Sequence, residues 1–359
     1  MSGIHRAHAR FVGSTRVILG ALGAVLVLGG CGGSVSTTPP GLGSSAPTRS
    51  PAVSPPAATS PSVTQPPGPS PVVPADVEDE AALELAWQAG GPTPSQPKTA
   101  GPEIDAEGNI WVAASFDDTF WVFDRDGTYL ESWGTPGTGD GEFDFAANDS
   151  DSYGGIAFGP DGGFYVADTG NHRVQRFDAD RSFLAAWGEF GTAEGQFVSP
   201  SVIEVADDGS VYVLDDQQGV IQQFDADGTF ERSIAPGRVW PLSLTTDAAN
   251  NLYYVEGMPP TLHKVAPDEE VLLRVDLHEL LDFPSGIAVG SDGHLFVAGL
   301  TGAGAFEEPD RLVELAPDGT LVRAWPVGGD GIALDPLGDR LYIAFYLWDH
   351  LRAHTMPGD

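Results

Sequence analysis

The feature that most narrows what this chain can fold into is an aromatic residue that returns at a nearly fixed interval. Trp111, Tyr165, Tyr212, Tyr253, Phe296 and Tyr342 each sit in a short apolar run, and the gaps between them are 54, 47, 41, 43 and 46 residues. Most of these runs follow a turn pair such as Glu107-Gly108, Asp161-Gly162, Asp208-Gly209 or Asp292-Gly293. A period of this size marks a supersecondary unit that cannot bury its apolar face alone and must stack on its neighbours. The fullest copy, Gly155 to Phe197, contains four apolar runs: Ile156 to Phe158, Phe164 to Ala167, Val174 to Phe177 and Phe183 to Trp187. Between them lie Pro160-Asp161-Gly162, Asp168 to Arg173 and Asp178 to Arg181, short connections rich in turn-forming residues. The unit therefore predicts a four-stranded antiparallel meander.

The turn between the third and fourth runs recurs as well, as FDRDGTYL at Phe123, FDADRSFL at Phe177, FDADGTFE at Phe224, VAPDEEVL at Val265 and LAPDGTLV at Leu315. Fourth runs end in Trp133, Trp187 and Trp325, with Ile234 and Val275 as weaker equivalents, and these side chains are suited to packing between units. The last unit is short: beyond Leu341-Tyr342-Ile343 and a run at Leu351 to Thr355 no fourth strand remains. Its missing strand is expected at Leu83 to Trp87, whose sequence LELAW reads like the fourth runs YLESW and FLAAW. An open ring would leave unpaired edges and uncovered apolar faces, which a strand taken from the N-terminal side removes. The expected fold is all-β, a six-bladed β-propeller of four-stranded antiparallel blades whose last blade is completed by an N-terminal closing strand.

Within this pattern, ADTGNHRVQRFD at Ala167 to Asp178, preceded by GPDGGFYV and followed by WGEFGTAEGQF, resembles an NHL repeat, the unit of a family of six-bladed propellers. The match is specific in this stretch, while the other units keep its skeleton. The resemblance implies that Asp168 accepts backbone N–H groups in its own connecting loop. It also implies that Asn171-His172-Arg173 organise entry into the third strand, with Arg173 paired to a neighbouring carboxylate.

Residues 1–30 read as a bacterial lipoprotein signal peptide. His5, Arg6, Arg10 and Arg16 make a basic start, and Val17 to Leu28 is an apolar run of 12 residues, shorter than the roughly 20 that span a bilayer. Leu28-Gly29-Gly30-Cys31 resembles a lipobox, and Cys31 is the chain's one cysteine, so it is the expected lipidation site; an ordinary secretory signal is the alternative. Residues 31–77, rich in Pro, Ser and Thr and without periodicity, form a disordered tether with local polyproline-II character. Residues 78–359 form the propeller. The expected location is the cell envelope, lipid-anchored on the outer side of the cytoplasmic membrane.

Charge excludes one class of partner. The chain has 51 acidic and 17 basic side chains, a formal −34, and loss of Arg6, Arg10 and Arg16 with the signal peptide would bring it to −37. Phosphate would be repelled over most of such a surface, so nucleic acid is not an expected partner, although some NHL domains hold RNA on a basic face.

No P-loop, HExxH or GxSxG motif is present, and no catalytic residue is assigned. His172, His263, His278, His294, His350 and His354 are scattered without ligand spacing and are expected at turns or on the surface. The regucalcin and gluconolactonase family, also six-bladed, places acidic or Asn metal ligands just before several innermost strands. The equivalent positions here, Ala100, Gly154, Ser201, Leu242, Ser285 and Asp330, include one acid and cannot make that oxygen cage.

A second ring is better supplied. Three residues after the repeated aromatic stand Ala114, Asp168, Asp215, Glu256, Gly299 and Phe345, so three successive blades carry a carboxylate at one level, with Asp216 beside them. Asp168, Asp215, Asp216 and Glu256 are the candidate ligand- or cation-binding residues, calcium being the candidate ion at Asp168, Asp215 and Glu256. Capping of their own loops is the alternative. The Gly-rich, acidic insertions Gly134 to Gly155 and Gly299 to Arg311 carry aromatics expected to be exposed, and Asp149, Asp151 and Tyr153 are the candidate partner loop. The expected function is a monomeric, membrane-anchored extracytoplasmic binding or scaffold module for a protein, peptide or glycan. The alternative is a secreted propeller enzyme, a lyase or hydrolase with a divalent cation at the channel mouth.

Overall fold

The computed structural model describes residues 83–92, 101–145, 154–234, 241–301, 310–344 and 350–357. Among them, six four-stranded antiparallel sheets follow one another as the blades of a propeller. Blade 1 comprises Glu103–Ile104, Ile110–Ala114, Thr119–Phe123 and Tyr129–Trp133, and blade 2 comprises Gly155–Phe158, Phe164–Asp168, Arg173–Phe177 and Phe183–Trp187. Blade 3 is Pro200–Val205, Val211–Asp215, Val220–Phe224 and Phe230–Ile234; blade 4 is Pro241–Thr246, Leu252–Gly257, Pro260–Val265 and Val271–Asp276. Blade 5 is Phe283–Val289, Leu295–Leu300, Asp310–Leu315 and Leu321–Trp325. In blade 6, Gly331–Leu334, Arg340–Ala344 and His350–Thr355 are joined by Glu84–Gly90, antiparallel to His350–Thr355 with Glu84 opposite Thr355.

The strand carrying the repeated aromatic is buried along its whole length in blades 1 to 4, because neighbouring blades cover both of its faces. Outermost strands such as FLAAW and FERSI alternate between half-buried and exposed, the pattern of a strand with one packed face. Third and fourth strands meet through a bulged hairpin. Their register slips at Val122/Phe123, Arg176/Phe177, Gln223/Phe224, Lys264/Val265 and Glu314/Leu315. The turn's fourth residue has positive φ in each of these hairpins, at Gly127, Arg181, Gly228, Glu269 and Gly319. Asp124 Oδ1 accepts the N–H groups of Asp126 and Thr128, and Asp225 Oδ1 those of Asp227 and Thr229. Part of the acidic excess is therefore turn chemistry.

Aromatic side chains fill the seam between blades 1 and 2. Trp133 stands edge-on to Phe177 at 5.1 Å, and Phe143 stacks on Phe145 at 5.3 Å. Phe143 and Phe145 correct the expectation that aromatics of this insertion are exposed: both are fully buried, because the loop folds back over the seam. His263 and His354 also leave their expected turn or surface positions, since both lie in third strands. His263 stacks on Tyr254 at 4.6 Å, while His354 is buried with Nδ1 facing the Leu83 carbonyl oxygen. The six innermost strands enclose a channel cavity of about 290 Å³.

Candidate functional site

In these meanders the exits of the second and fourth strands lie at one end of the ring. Asp168, Asp215 and Glu256 share that end with the linkers 134–145 and 188–199, which lead from blades 1 and 2 into the next blade. Both linkers follow one pattern, WGTPGTGDGEF from Trp133 and WGEFGTAEGQF from Trp187. Gly134 and Gly188 take φ of 114° and 101°, and a Cβ on Gly188 would lie 2.6 Å from the Phe197 ring, so the tight exit requires glycine. Phe143 and Phe197, ten residues beyond each tryptophan, are fully buried and pin the linkers down.

The acids hold these linkers from the following blade. Asp168 Oδ1 accepts the Asp144 N–H at 2.8 Å, Asn171 Nδ2 donates to both carboxylate oxygens at 3.0 Å, and Arg173 Nε donates to Oδ2 at 2.7 Å. Gln175 Nε2 donates to Asp168 Oδ2 and to the Glu142 carbonyl, while its Oε1 accepts the Gly141 N–H. Arg173 Nη2 donates to the carbonyls of Gly139 and Glu142. Blade 3 repeats the device. Asp215 accepts N–H groups from Val198, Ser199 and Gln218 and the Gln218 side-chain amide, and Gln222 bridges to Gln196 and Gly195 as Gln175 does to Glu142 and Gly141. The Asp216 N–H donates to the Ser199 carbonyl at 3.2 Å.

Glu256 differs. Register puts His263 of blade 4 where Gln175 and Gln222 stand in blades 2 and 3, and the pair is 3.3 Å apart, Nε2 to Oε2. Burial raises the Asp168 pKa from its ordinary value, opposed by the Asp144 N–H, Arg173 and Asn171. With both oxygens of Asp168 and of Asp215 already accepting N–H groups, these two carboxylates do not fit a calcium ligand set. Among the described residues no three His, Cys, Asp or Glu side chains gather as a metal site. Asp149, Asp151 and Tyr153 lie outside the described residues, as do Cys31 and the tether.

Two features escaped the sequence reading. The first is in the channel: Glu103, Ala157, Glu204, Thr245, Ala288 and Ala333 stand opposite the six repeated aromatics. Glu204 Oε1 accepts the N–H and the hydroxyl of Thr246, both at 2.9 Å. Burial pushes the Glu204 carboxyl up to about 7, and it raises Glu103 well above the usual range, with the Glu204 charge adding to the effect. A signal existed, since each glutamate precedes its aromatic by the same eight residues. The second is Phe190, 68 % exposed on the 188–199 linker with its ring centroid 4.9 Å from that of His172. Phe116, 56 % exposed, belongs to the same end of the ring.

The family model of the NHL repeat matches residues 154–177, the second blade's first three strands and its Asp168–Gln175 network. No curated protein sequence matches the chain. Among solved structures, a catalytically inactive virginiamycin B lyase from Staphylococcus aureus with quinupristin is 17% identical, covering 74% of this chain and 83% of that one at a TM-score of 0.54. Hydrazine synthase of Kuenenia stuttgartiensis is 13% identical over 74% of this chain and 97% of that one, TM-score 0.52. The Neurospora crassa Pan2 WD40 domain is 9% identical over 79% and 98%, TM-score 0.52. At such identities the likeness is one of fold, and with the repeat it identifies the chain as a six-bladed β-propeller carrying an NHL repeat in its second blade.

Proposed function

We propose that this chain is an extracytoplasmic binding module. Anchored through Cys31 to the outer side of the cytoplasmic membrane, it presents one end of the propeller to a protein, peptide or glycan partner. The observation that carries this reading is Phe190. A large apolar ring is held out in water on a linker that is itself fixed, by the Gly191 N–H to the Phe197 carbonyl and by Asp215, Gln218 and Gln222 beneath it. A rigid exposed aromatic loses little freedom on binding, which suits it to be an anchor. The test is photo-crosslinking in intact cells from a benzophenone amino acid at position 190, with position 184 on an outer strand as control. A discrete adduct from 190 and none from 184 is expected; equal labelling from both would remove the proposed face.

The enzyme reading, a lyase or hydrolase, draws its support from Glu103 and Glu204. One carboxyl near 7 beside a second raised one is a combination able to hold and release a proton at neutral pH. In that reading the reaction would take place in the channel, and Glu204→Gln would abolish turnover while leaving crosslinking from position 190 intact.

A further inference from the structure

At the opposite end of the ring, each third-to-fourth-strand turn leans on the preceding blade. Between blades 6 and 1 the cleft is filled by Arg125, which pairs with Asp335 at 2.8 Å and also with Asp339. Between blades 2 and 3 the Tyr165 hydroxyl donates to the Ala226 carbonyl at 3.1 Å, and Arg176 pairs with Asp227 at 2.9 Å. Between blades 1 and 2 each of these closures is missing. Ala179 stands where blade 1 has Arg125. Val122 stands opposite Trp111 where Arg176 stands opposite Tyr165, and Trp111 turns its Nε1–H inward to Asp105 Oδ2 at 2.8 Å. The result is a cavity of about 620 Å³, lined by Asn109, Trp111, Phe158, Ala179 and Arg181 among others.

Arg181 is the unusual residue there. It has φ of 65° at the turn position where Gly127, Gly228 and Gly319 stand in three other blades. A side chain in that region of backbone space is strained, and such positions gather at ligand clamps. Its guanidinium lies 4.7 Å from the Trp111 ring centroid, and Nη1 meets Glu131 at 2.6 Å. The other guanidinium nitrogens have no partner among the described residues. Glu269, at the same turn position in blade 4, pairs with Arg232 of blade 3, so an ion pair across the seam is the purely structural use of this position.

We propose that the cleft between blades 1 and 2 binds a neutral saccharide. Its volume suits a small ligand. Phe158, Ile104, Pro160 and Pro336 give apolar surface for a ring face, and Arg181, Glu107 and Asn109 supply donors and acceptors at the cleft. Asp105 is already engaged, because its oxygens accept from the N–H groups of Glu107 and Asn109, the Asn109 amide and the Trp111 indole. A cation would meet Arg181, and an anion would meet Glu107 and the net charge of the whole chain. Hydroxyl groups can donate to one side and accept from the other. This site is separate from the Phe190 end and does not depend on it.

The test is saturation-transfer NMR on the full chain with chitotriose, maltotriose, xylotriose and mannotriose at millimolar concentration, with trigalacturonate and trilysine as charged controls. At least one neutral trisaccharide is expected to receive saturation, and neither control. Ala179→Arg, which gives blade 2 the side chain that fills the 6–1 cleft, should weaken binding by about tenfold or more. Arg181→Gly should weaken it similarly without lowering the melting temperature, since glycine suits that backbone. The proposal is overturned if no neutral trisaccharide is bound or if binding survives Ala179→Arg. It is equally overturned if Arg181→Gly lowers the melting temperature and leaves binding unchanged.

Discussion

Asp168 and Arg173 show how a residue that looks like a ligand can instead be a tie between blades. Their 2.7 Å pair is buried at the carboxylate and half-buried at the guanidinium, and the remaining donors around Asp168 come from the linker and from its own loop. Removing one partner leaves the other charge uncompensated, so Asp168→Asn should cost about 3 kcal/mol in denaturant unfolding. Millimolar calcium should leave the wild-type melting temperature unchanged. A calcium-dependent rise abolished by Asp215→Asn would instead make these carboxylates cation ligands. Glu204 gives a pH signature of its own. Its folded-state pKa near 7 exceeds the ordinary 4.5, so between those values the folded chain keeps a proton that the unfolded chain has released. This contribution is full below about 4.5 and is lost as pH rises through about 7, at most about 3 kcal/mol. Glu204→Gln should flatten the melting profile across that window and raise the melting temperature at about pH 8. An unchanged profile would place the proton elsewhere.

Among the elements, the strand Glu84–Gly90 is the most exposed to test. Trp87 donates its indole N–H to the Arg125 carbonyl at 2.9 Å, lies 5.9 Å from the Tyr342 ring, and covers Gly127, where a Cβ would come within 2.6 Å of it. It touches both blade 6 and blade 1. Trp87→Ala should therefore cost about 2–3 kcal/mol by cooperative thermal or urea unfolding, the lower end of the range for a tryptophan because the side chain is half-buried. A variant as stable as wild type would show that this strand does not hold the ring. The strands themselves were legible from sequence: repeated aromatics, Asp-Gly turns and terminal tryptophans are local signals, each fixed by a few neighbours in the chain. The linkers were less so, because Phe143 and Phe145 are buried by residues distant in the chain, Phe120 and Trp133 of blade 1 and Phe177 of blade 2, and Gln175 looks like an ordinary strand glutamine until its amide is seen holding Glu142 and Gly141. Asp168, Asp215 and Glu256 stand at the ends of second strands, but whether an aspartate meets N–H groups or a cation depends on linker positions that no periodicity encodes.

At the scale of the whole molecule, charge and attachment are one problem. Many basic side chains bridge seams: Arg125 to Asp335, Arg176 to Asp227, Arg181 to Glu131, Arg232 to Glu269 and Arg340 to Asp126. Cations used in this way leave a surface dominated by acids, and a chain at −34 is repelled by an anionic lipid surface. The described residues include no helix long and apolar enough to cross a membrane. Net charge therefore gives the chain no attraction to an anionic bilayer, and we propose that membrane association rests on a lipid at Cys31. Cys31→Ser is the variant that separates these terms. In cell fractionation, wild type should sediment with membranes in high salt and be released by detergent, whereas the processed Cys31→Ser chain should be found in the soluble fraction. A Cys31→Ser chain cut to the mature length and still membrane-bound would mean that some other contact overcomes the repulsion, and Cys31 would lose its role as the anchor.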